Sequence, residues 1–378
     1  MALYAEPRAF LFEGEFPNQS TEDAAGDPPV IRAVDRLHDS AIGLSASDIH
    51  LEPTRFGGRV RLRVDGILRE SEQIPGELFT PMVSRVKLLA AMDIAERRVP
   101  QDGSYVLERG NRTLDARVSS MPTIAGEKLV IRLLDMQTAI PSLSALGMPF
   151  RILDRYRQAI HAAHGFIVVC GPTGSGKTTT LYASLAERNV DATQHICTVE
   201  DPVEVRMGGV AQVQVNPRAG LTFASALRAF LRQDPNVIML GEMRDAESAS
   251  VAMSAALSGQ LVVTTLHASD APRAIERLVE FGLNRHTLAA GLSAIVSQRL
   301  VRRCDGSGYR GRIAIFELMP MTSAVRAAVA RGATTLELSE IAAVAGYEPM
   351  RTEGLALVAR RETTRSELER VLGAGDAG

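Results

Sequence analysis

One stretch, Gly171-Pro172-Thr173-Gly174-Ser175-Gly176-Lys177-Thr178, decides most of what this chain can fold into. It has the spacing G-x-x-x-x-G-K-T of a loop that wraps phosphate groups. Such a loop works only between a buried strand and a helix, because its backbone N–H groups and the helix N-terminus must converge on one anion. The flanks agree. Phe166-Ile167-Val168-Val169-Cys170 is a short apolar run rich in β-branched residues, as a buried parallel strand should be. Thr178 to Glu187 contains neither Gly nor Pro and reads as a helix. The chain is therefore expected to be α/β, with a parallel sheet around this loop.

Composition sharpens the point about Lys177. Only Lys87, Lys128 and Lys177 are lysines among 42 basic residues. A chain that uses arginine almost everywhere still places lysine in the loop. The loop needs a compact point charge on a thin stem, and the guanidinium is a wide planar fork. Lys177 is expected to reach the β/γ-phosphates of a nucleoside triphosphate. Residues 171–179, from Gly171 to Thr179, form the expected nucleotide cradle, and the Thr178 hydroxyl is expected to ligate Mg²⁺.

The 378 residues suggest two domains, perhaps three. A formal net charge of −2 gives no whole-chain case for nucleic-acid binding. No apolar run approaches the roughly 18 residues that a membrane-spanning helix needs. The N-terminus lacks the basic-then-apolar order of a signal peptide, so a cytoplasmic location is expected. Cys170, Cys197 and Cys304 are scattered and form no disulfide framework.

Residues 1–28 are rich in Glu, Asp, Pro, Asn and Gly and read as a flexible N-terminus. Residues 29–137 read as a small α/β domain. A helix is expected at 30–39, strands at 48–52 and 58–64, and a hairpin turn at Asp65-Gly66. A second helix is expected at 81–95, then strands at 103–107, 113–118 and 128–134. The Pro-, Ser- and Gly-bearing stretch 138–150 reads as a linker. Residues 151–378 alternate helix and strand, with strands expected at 166–170, 195–200, 237–240 and 261–266. A helical cluster is expected from Ser323 to Leu372.

Three further segments are expected at the same sheet edge. Thr198 to Glu204 follows a strand and is dense in carboxylates. Val237-Ile238-Met239-Leu240 ends in Gly241-Glu242, an acid placed to hold Mg²⁺ directly or through water. Leu261 to Leu266 delivers His267. Alone, Glu242 reads as well as a solvated acid, and His267 as a histidine satisfied by backbone. Thr222 to Gln233 reads as an amphipathic helix, with Arg228 and Arg232 four residues apart on one face. That spacing fits a shared anion and two solvated arginines equally well.

Taken together, these motifs resemble the secretion ATPases, which drive type II secretion, type IV pilus assembly and retraction, and DNA uptake. The resemblance rests on Ala46 to Pro53, Gln101-Asp102-Gly103, Gly126-Glu127-Lys128, the phosphate loop, Thr198 to Glu204, Leu231 to Pro235, Gly241 to Asp245 and Thr265-Leu266-His267. Ser47 to Pro53 and the run from Gly308 to Glu317 are more similar to the secretion and assembly branch. The resemblance implies a RecA-like P-loop NTPase domain, preceded by a small PAS-like α/β domain, in a homo-hexameric ring. It implies ATP and Mg²⁺ as ligands, with Glu204 as general base, Glu242 as the Walker B acid and His267 in the His box. It implies that Arg117 and Arg132 from the first domain, and Arg228 and Arg232 from the second, serve the nucleotide site. The partners implied are a polytopic inner-membrane platform protein and other assembly components, with the ring peripheral at the inner membrane.

The sequence departs from this family in two places. The two C-x-x-C pairs that bind zinc in relatives are reduced to Cys304, and one thiolate cannot make a four-ligand site, so no zinc is expected. No counterpart of the relatives' additional N-terminal domain is expected ahead of residue 28. Two alternatives keep the chemistry: pilus retraction and DNA uptake. A nucleic-acid translocase is disfavoured, because no basic stripe interleaved with aromatics is visible. A non-catalytic nucleotide-binding regulator is disfavoured by Lys177, Glu204 and Glu242.

Overall fold

The computed structural model describes residues 26–136, 139–306 and 308–374. The expected flexible N-terminus lies outside them as far as residue 25. The chain divides into two compact units, one ahead of Ala139 and one from Ala139 onward.

The first unit contains helices α1 (Pro28–Gly43) and α2 (Gly76–Leu89) and strands β1 (Asp48–Thr54), β2 (Gly57–Val64), β3 (Ile67–Pro75), β4 (Gln101–Arg109), β5 (Arg112–Thr123) and β6 (Gly126–Asp135). The strands form one antiparallel sheet in the order β3-β2-β1-β6-β5-β4. Period-two alternation sets its faces. Ile49 and Leu51, Val60 and Leu62, Ala116 and Val118, and Leu129 and Ile131 are buried in one core with Val34 and Leu37 of α1 and Leu78, Met82 and Val86 of α2. The alternate positions carry Asp48, Glu52, Arg59, Arg61, Arg117, Lys128 and Arg132, so the other face is a lattice of ion pairs. Asp65 and Gly66 adopt φ of 51° and 80°, the left-handed pair that a two-residue hairpin needs.

The second helix departs from expectation at both ends. It begins at Gly76 rather than Pro81, and Pro81 lies inside it. Burial of Leu78 and Phe79 outweighs the hydrogen bond that the proline removes. Phe79 packs where a side chain at residue 58 would stand, since a Cβ on Gly58 would meet its ring at 1.9 Å. The helix stops at Leu89, short of Ala95. Ala91 turns left-handed with φ of 54°. The Asp93 carboxylate then accepts the N–H groups of Ala95 and Glu96 at 2.9 and 3.3 Å, a local turn that competes with helix.

The second unit begins with a 3₁₀ turn at Leu143–Leu146, whose Leu143 is fully buried in this unit's core. Then follow α3 (Phe150–Ile160), β7 (Gly165–Cys170), α4 (Lys177–Arg188), β8 (Ile196–Glu200), β9 (Val210–Gln214), α5 (Phe223–Phe230), β10 (Val237–Leu240), α6 (Ala246–Leu257), β11 (Leu261–Leu266), α7 (Ala271–Glu280), α8 (Arg285–Gly291), β12 (Leu292–Cys304), β13 (Tyr309–Pro320) and the helices α9 (Ser323–Arg331), α10 (Thr335–Val344), α11 (Met350–Ala359) and α12 (Arg365–Leu372). The sheet order is β13-β12-β7-β11-β10-β8-β9. All neighbours are parallel except the β12–β13 hairpin. Both faces are covered. Phe166, Val168, Ile238 and Val262 face one apolar layer with α5–α10, while Ile167, Val169, Met239 and Val263 face the other with α3 and α4.

The four strands expected at 166–170, 195–200, 237–240 and 261–266 are present within one residue at each end. Strand β9 and the long β12–β13 hairpin were not foreseen. The helix expected from Thr222 to Gln233 covers only Phe223–Phe230, opened by a capping box between Thr222 and Ser225. The expected C-terminal helical cluster is present as α9–α12.

Candidate functional site

The parallel strands β7, β8, β10 and β11 open at one sheet edge, and each delivers an expected site segment there. After β7 the chain turns through the phosphate loop. Gly174 and Gly176 sit at φ of 75° and 88°, left-handed values that a side chain would strain. Helix α4 then starts at Lys177. The first return bond in this turn is Thr180 N–H to Gly176 at 3.1 Å. The N–H groups of Lys177, Thr178 and Thr179 thus belong to the turn that helix geometry leaves without internal acceptors. The Lys177 ammonium crosses the loop and donates to the carbonyls of Gly171 and Pro172, both at 2.9 Å. Burial is the largest influence on its pKa and lowers it, and the Glu242 charge acts in the opposite sense.

An acceptor-rich ligand fits this loop. Ser175 Oγ is buried and has no hydrogen-bond partner among the described residues. A Cβ at Gly171 would meet it at 2.5 Å, so the loop closes around its own backbone. An orphaned hydroxyl, first-turn N–H groups and a lysine held only by neutral carbonyls together match the oxygen-rich, anionic phosphates of ATP.

Beside the loop, β10 ends at Glu242. Arg244 pairs with Glu242 at short range and with Asp201 at 2.8 Å, and its guanidinium lies 5.6 Å from the centre of the Phe223 ring. His267 Nε2 stands 3.8 Å from Glu242. Burial, then the Lys177 charge, lowers the His267 pKa from its ordinary value, so the ring is neutral at pH 7. Glu242 is thus brought together with His267, and its charge is felt at Lys177.

The acidic segment after β8 is held by α4. Glu200 is buried and accepts from Thr198 Oγ1 at 2.5 Å, from Gln212 Nε2 at 3.2 Å and, at short range, from the Tyr182 hydroxyl. The Tyr182 oxygen in turn accepts the N–H of Glu204 at 3.1 Å and of Val205 at 3.3 Å. Glu204 itself is exposed. Tyr182 and Glu200 are the pieces that sequence reasoning did not single out. Their signal was present, since Tyr182 lies on the helix after the loop and Glu200 ends a strand, but only the fold puts them in contact.

The arginines are engaged elsewhere. Arg228 pairs with Glu247 of α6 at 2.5 Å, and Arg232 donates to the carbonyl of Arg228 at 3.0 Å. In the first unit, Arg117 and Arg132 are direct cross-strand partners on the charged face. Arg117 pairs with Asp115 at 3.0 Å and Arg132 with Asp48 at 3.1 Å. Cys304 ends β12, half-buried, its N–H bonded to the carbonyl of Glu362 at 2.8 Å.

The profile of the type II/IV secretion system protein family matches residues 23–370. The type II secretion system protein HxcR of Pseudomonas aeruginosa is 44% identical over 371 residues, which cover 93% of this chain and 78% of that protein. The type IV pilus assembly ATPase PilB of Myxococcus xanthus is 40% identical over 386 residues, covering 91% of this chain and 68% of that one. Among solved structures, the pilus retraction motor PilT with bound ADP superposes with a TM-score of 0.67 at 29% identity, covering 90% of this chain and 97% of PilT.

Proposed function

Since this chain belongs to the type II/IV secretion system protein family and is an ATPase of that family, we propose that it is a Mg²⁺-dependent motor whose ATP hydrolysis powers assembly of a type II secretion pseudopilus or a type IV pilus. The observation that supports this most is the convergence of the phosphate loop, Glu242 and His267 on one sheet edge.

In this reading, ATP takes the place of the loop's own carbonyls as the partner of Lys177. The ammonium exchanges Gly171 and Pro172 for the β/γ-phosphates, while the N–H groups of Lys177, Thr178 and Thr179 donate to the remaining oxygens. Thr178 and Glu242 would hold Mg²⁺, which when bound neutralises charge on the phosphate oxygens. For Glu242 to do so, Arg244 must release it or share it. Glu204 orients the attacking water and accepts its proton as the bond between the γ-phosphorus and the bridging oxygen breaks. ADP and inorganic phosphate are the products. Neutral His267 supplies a hydrogen bond rather than a charge.

Arg117, Arg132, Arg228 and Arg232 are assigned to neutralising charge on the phosphates. Each would exchange a carboxylate or carbonyl for a phosphate oxygen. The working assembly is proposed as a homo-hexamer, cytoplasmic and peripheral at the inner membrane, docked on a polytopic platform protein. Nucleotide turnover would drive domain motion in this ring. Among the described residues no helix is long and apolar enough to cross a membrane. Retraction would use the same chemistry, and the greater identity to secretion and assembly proteins supports assembly.

Glu204→Gln tests the assignment of the base. ATP should still bind while kcat falls roughly 10²–10⁴-fold, because a base acts only in the chemical step. A variant that turns ATP over at the wild-type rate would remove Glu204 from this role.

A further inference from the structure

Strand β12 lies parallel beside β7, with Ser297 opposite Cys170, the last residue before the phosphate loop. The next residue, Gln298, is 1% exposed. Its amide uses both ends. Oε1 accepts from Thr180 Oγ1 at 2.7 Å, and Nε2 donates to the main-chain carbonyl of Ser175 at 2.6 Å. The carbonyl fixes the orientation, since the reversed amide would set oxygen against oxygen. The main chain of Gln298 is equally close to the loop's start: a Cβ at Gly171 would meet the Gln298 carbonyl at 2.6 Å. A Cβ at Gly176 would meet Gln298 Nε2 at 2.9 Å. One residue of β12 therefore touches the loop at its beginning, its middle and the first turn of α4.

We propose that Gln298 is a positioning residue for nucleotide. It holds the Ser175 carbonyl away from the cradle, so that the N–H groups that follow point into it. It also fixes Thr180, which anchors the first turn of α4 and hence the direction of its N–H groups. Leucine or methionine would fill the same volume. Only the amide supplies a donor and an acceptor at this reach. This proposal rests on the reading of residues 171–179 as the nucleotide site.

The test compares Gln298→Met, Gln298→Glu and Thr180→Val with wild type in the full chain. The readouts are equilibrium affinity for a fluorescent ADP analogue, KM and kcat for ATP, and melting temperature. Gln298→Met should weaken ADP binding and raise KM together, roughly 10- to 100-fold, as expected for two buried polar groups losing their partner. The kcat at saturation should stay within about threefold, because the interaction is shared by ground and transition states. Gln298→Glu sets a carboxylate against the Ser175 carbonyl and should bind ADP at least as weakly. Thr180→Val removes one of the two bonds and should have a smaller effect in the same direction. If Gln298→Met does not fold, Thr180→Val and Gln298→Glu carry the test.

ADP affinity within about twofold of wild type for the folded variants would overturn the proposal, and so would a lowered melting temperature with unchanged affinity. The second result would make Gln298 a core residue and nothing more. If wild-type protein itself bound no ADP, the nucleotide-site reading would fall first and the proposal with it.

Discussion

The half-buried acid Glu353 makes a stability prediction of opposite sign to ordinary acid denaturation. It lies on α11, and its Oε2 accepts the N–H of Phe316 on β13 at 2.5 Å. Burial is the dominant influence and pushes its pKa up to about 7, while the Phe316 N–H and the Arg360 charge pull weakly the other way. Between pH 4.5 and 7 the folded state holds a proton that the unfolded state releases. Stability from this group is therefore fully present below pH 4.5 and is lost as pH rises through 7. Moving the equilibrium that far corresponds to about 3 kcal/mol. Glu353→Gln keeps the acceptor for Phe316 and removes the charge. At pH 5, just above the ordinary carboxylate value, the variant should lead by less than about 1 kcal/mol. At pH 8 the variant should be more stable by about 2–3 kcal/mol, the upper figure being the full linkage term. Urea denaturation followed by circular dichroism from pH 5 to 8 measures the difference. A difference that stays flat across this range would refute the burial argument.

Two other outcomes follow from the same physical reasoning. Glu367, whose side chain is fully buried, accepts from Arg302 N at 2.9 Å, Arg302 Nη2 at 2.6 Å and Arg370 Nη2 at 2.6 Å, so Glu367→Ala should cost about 3 kcal/mol by leaving the largely covered Arg302 without its partner; thermal unfolding checks this, and an unchanged midpoint would contradict it. Arg117→Ala should leave the first unit folded, since its partner Asp115 is partly exposed, yet lower kcat by up to roughly 10³-fold if the guanidinium neutralises transferring phosphate; unchanged turnover would remove it from the reaction.

Much of the second unit was legible because its signals are local. An apolar β-branched run, a glycine loop and a Gly-free helix are each written in adjacent residues, and β7, β10 and β11 fall where those runs fall. The β12–β13 hairpin was not legible for the opposite reason. Ser297, Gln298 and Arg299 interrupt its apolar pattern, although Ser297 and Gln298 are buried. Gln298 is tolerated there only because its partners come from residues 175 and 180. The start of α2 was hidden by Pro81, which reads as a first-turn residue until the packing of Phe79 on Gly58 is known. In the site, the order of the motifs suggested which residues meet, and the sheet register supplies the reason. Sequence could not show that Arg244 lies between Glu242 and Asp201. Nor could it show that Arg228 is paired with Glu247.

The central claim is that this chain binds ATP on the phosphate loop and hydrolyses it. The most direct measurement is Mg²⁺-dependent release of phosphate from ATP by the full chain and by Lys177→Ala, with nucleotide affinity measured alongside. The account predicts turnover by the wild type, together with loss of both binding and turnover in the variant, because Lys177 is the loop's only cation. A Lys177→Ala protein that binds ATP with wild-type affinity, or that hydrolyses it at the wild-type rate, would contradict the account.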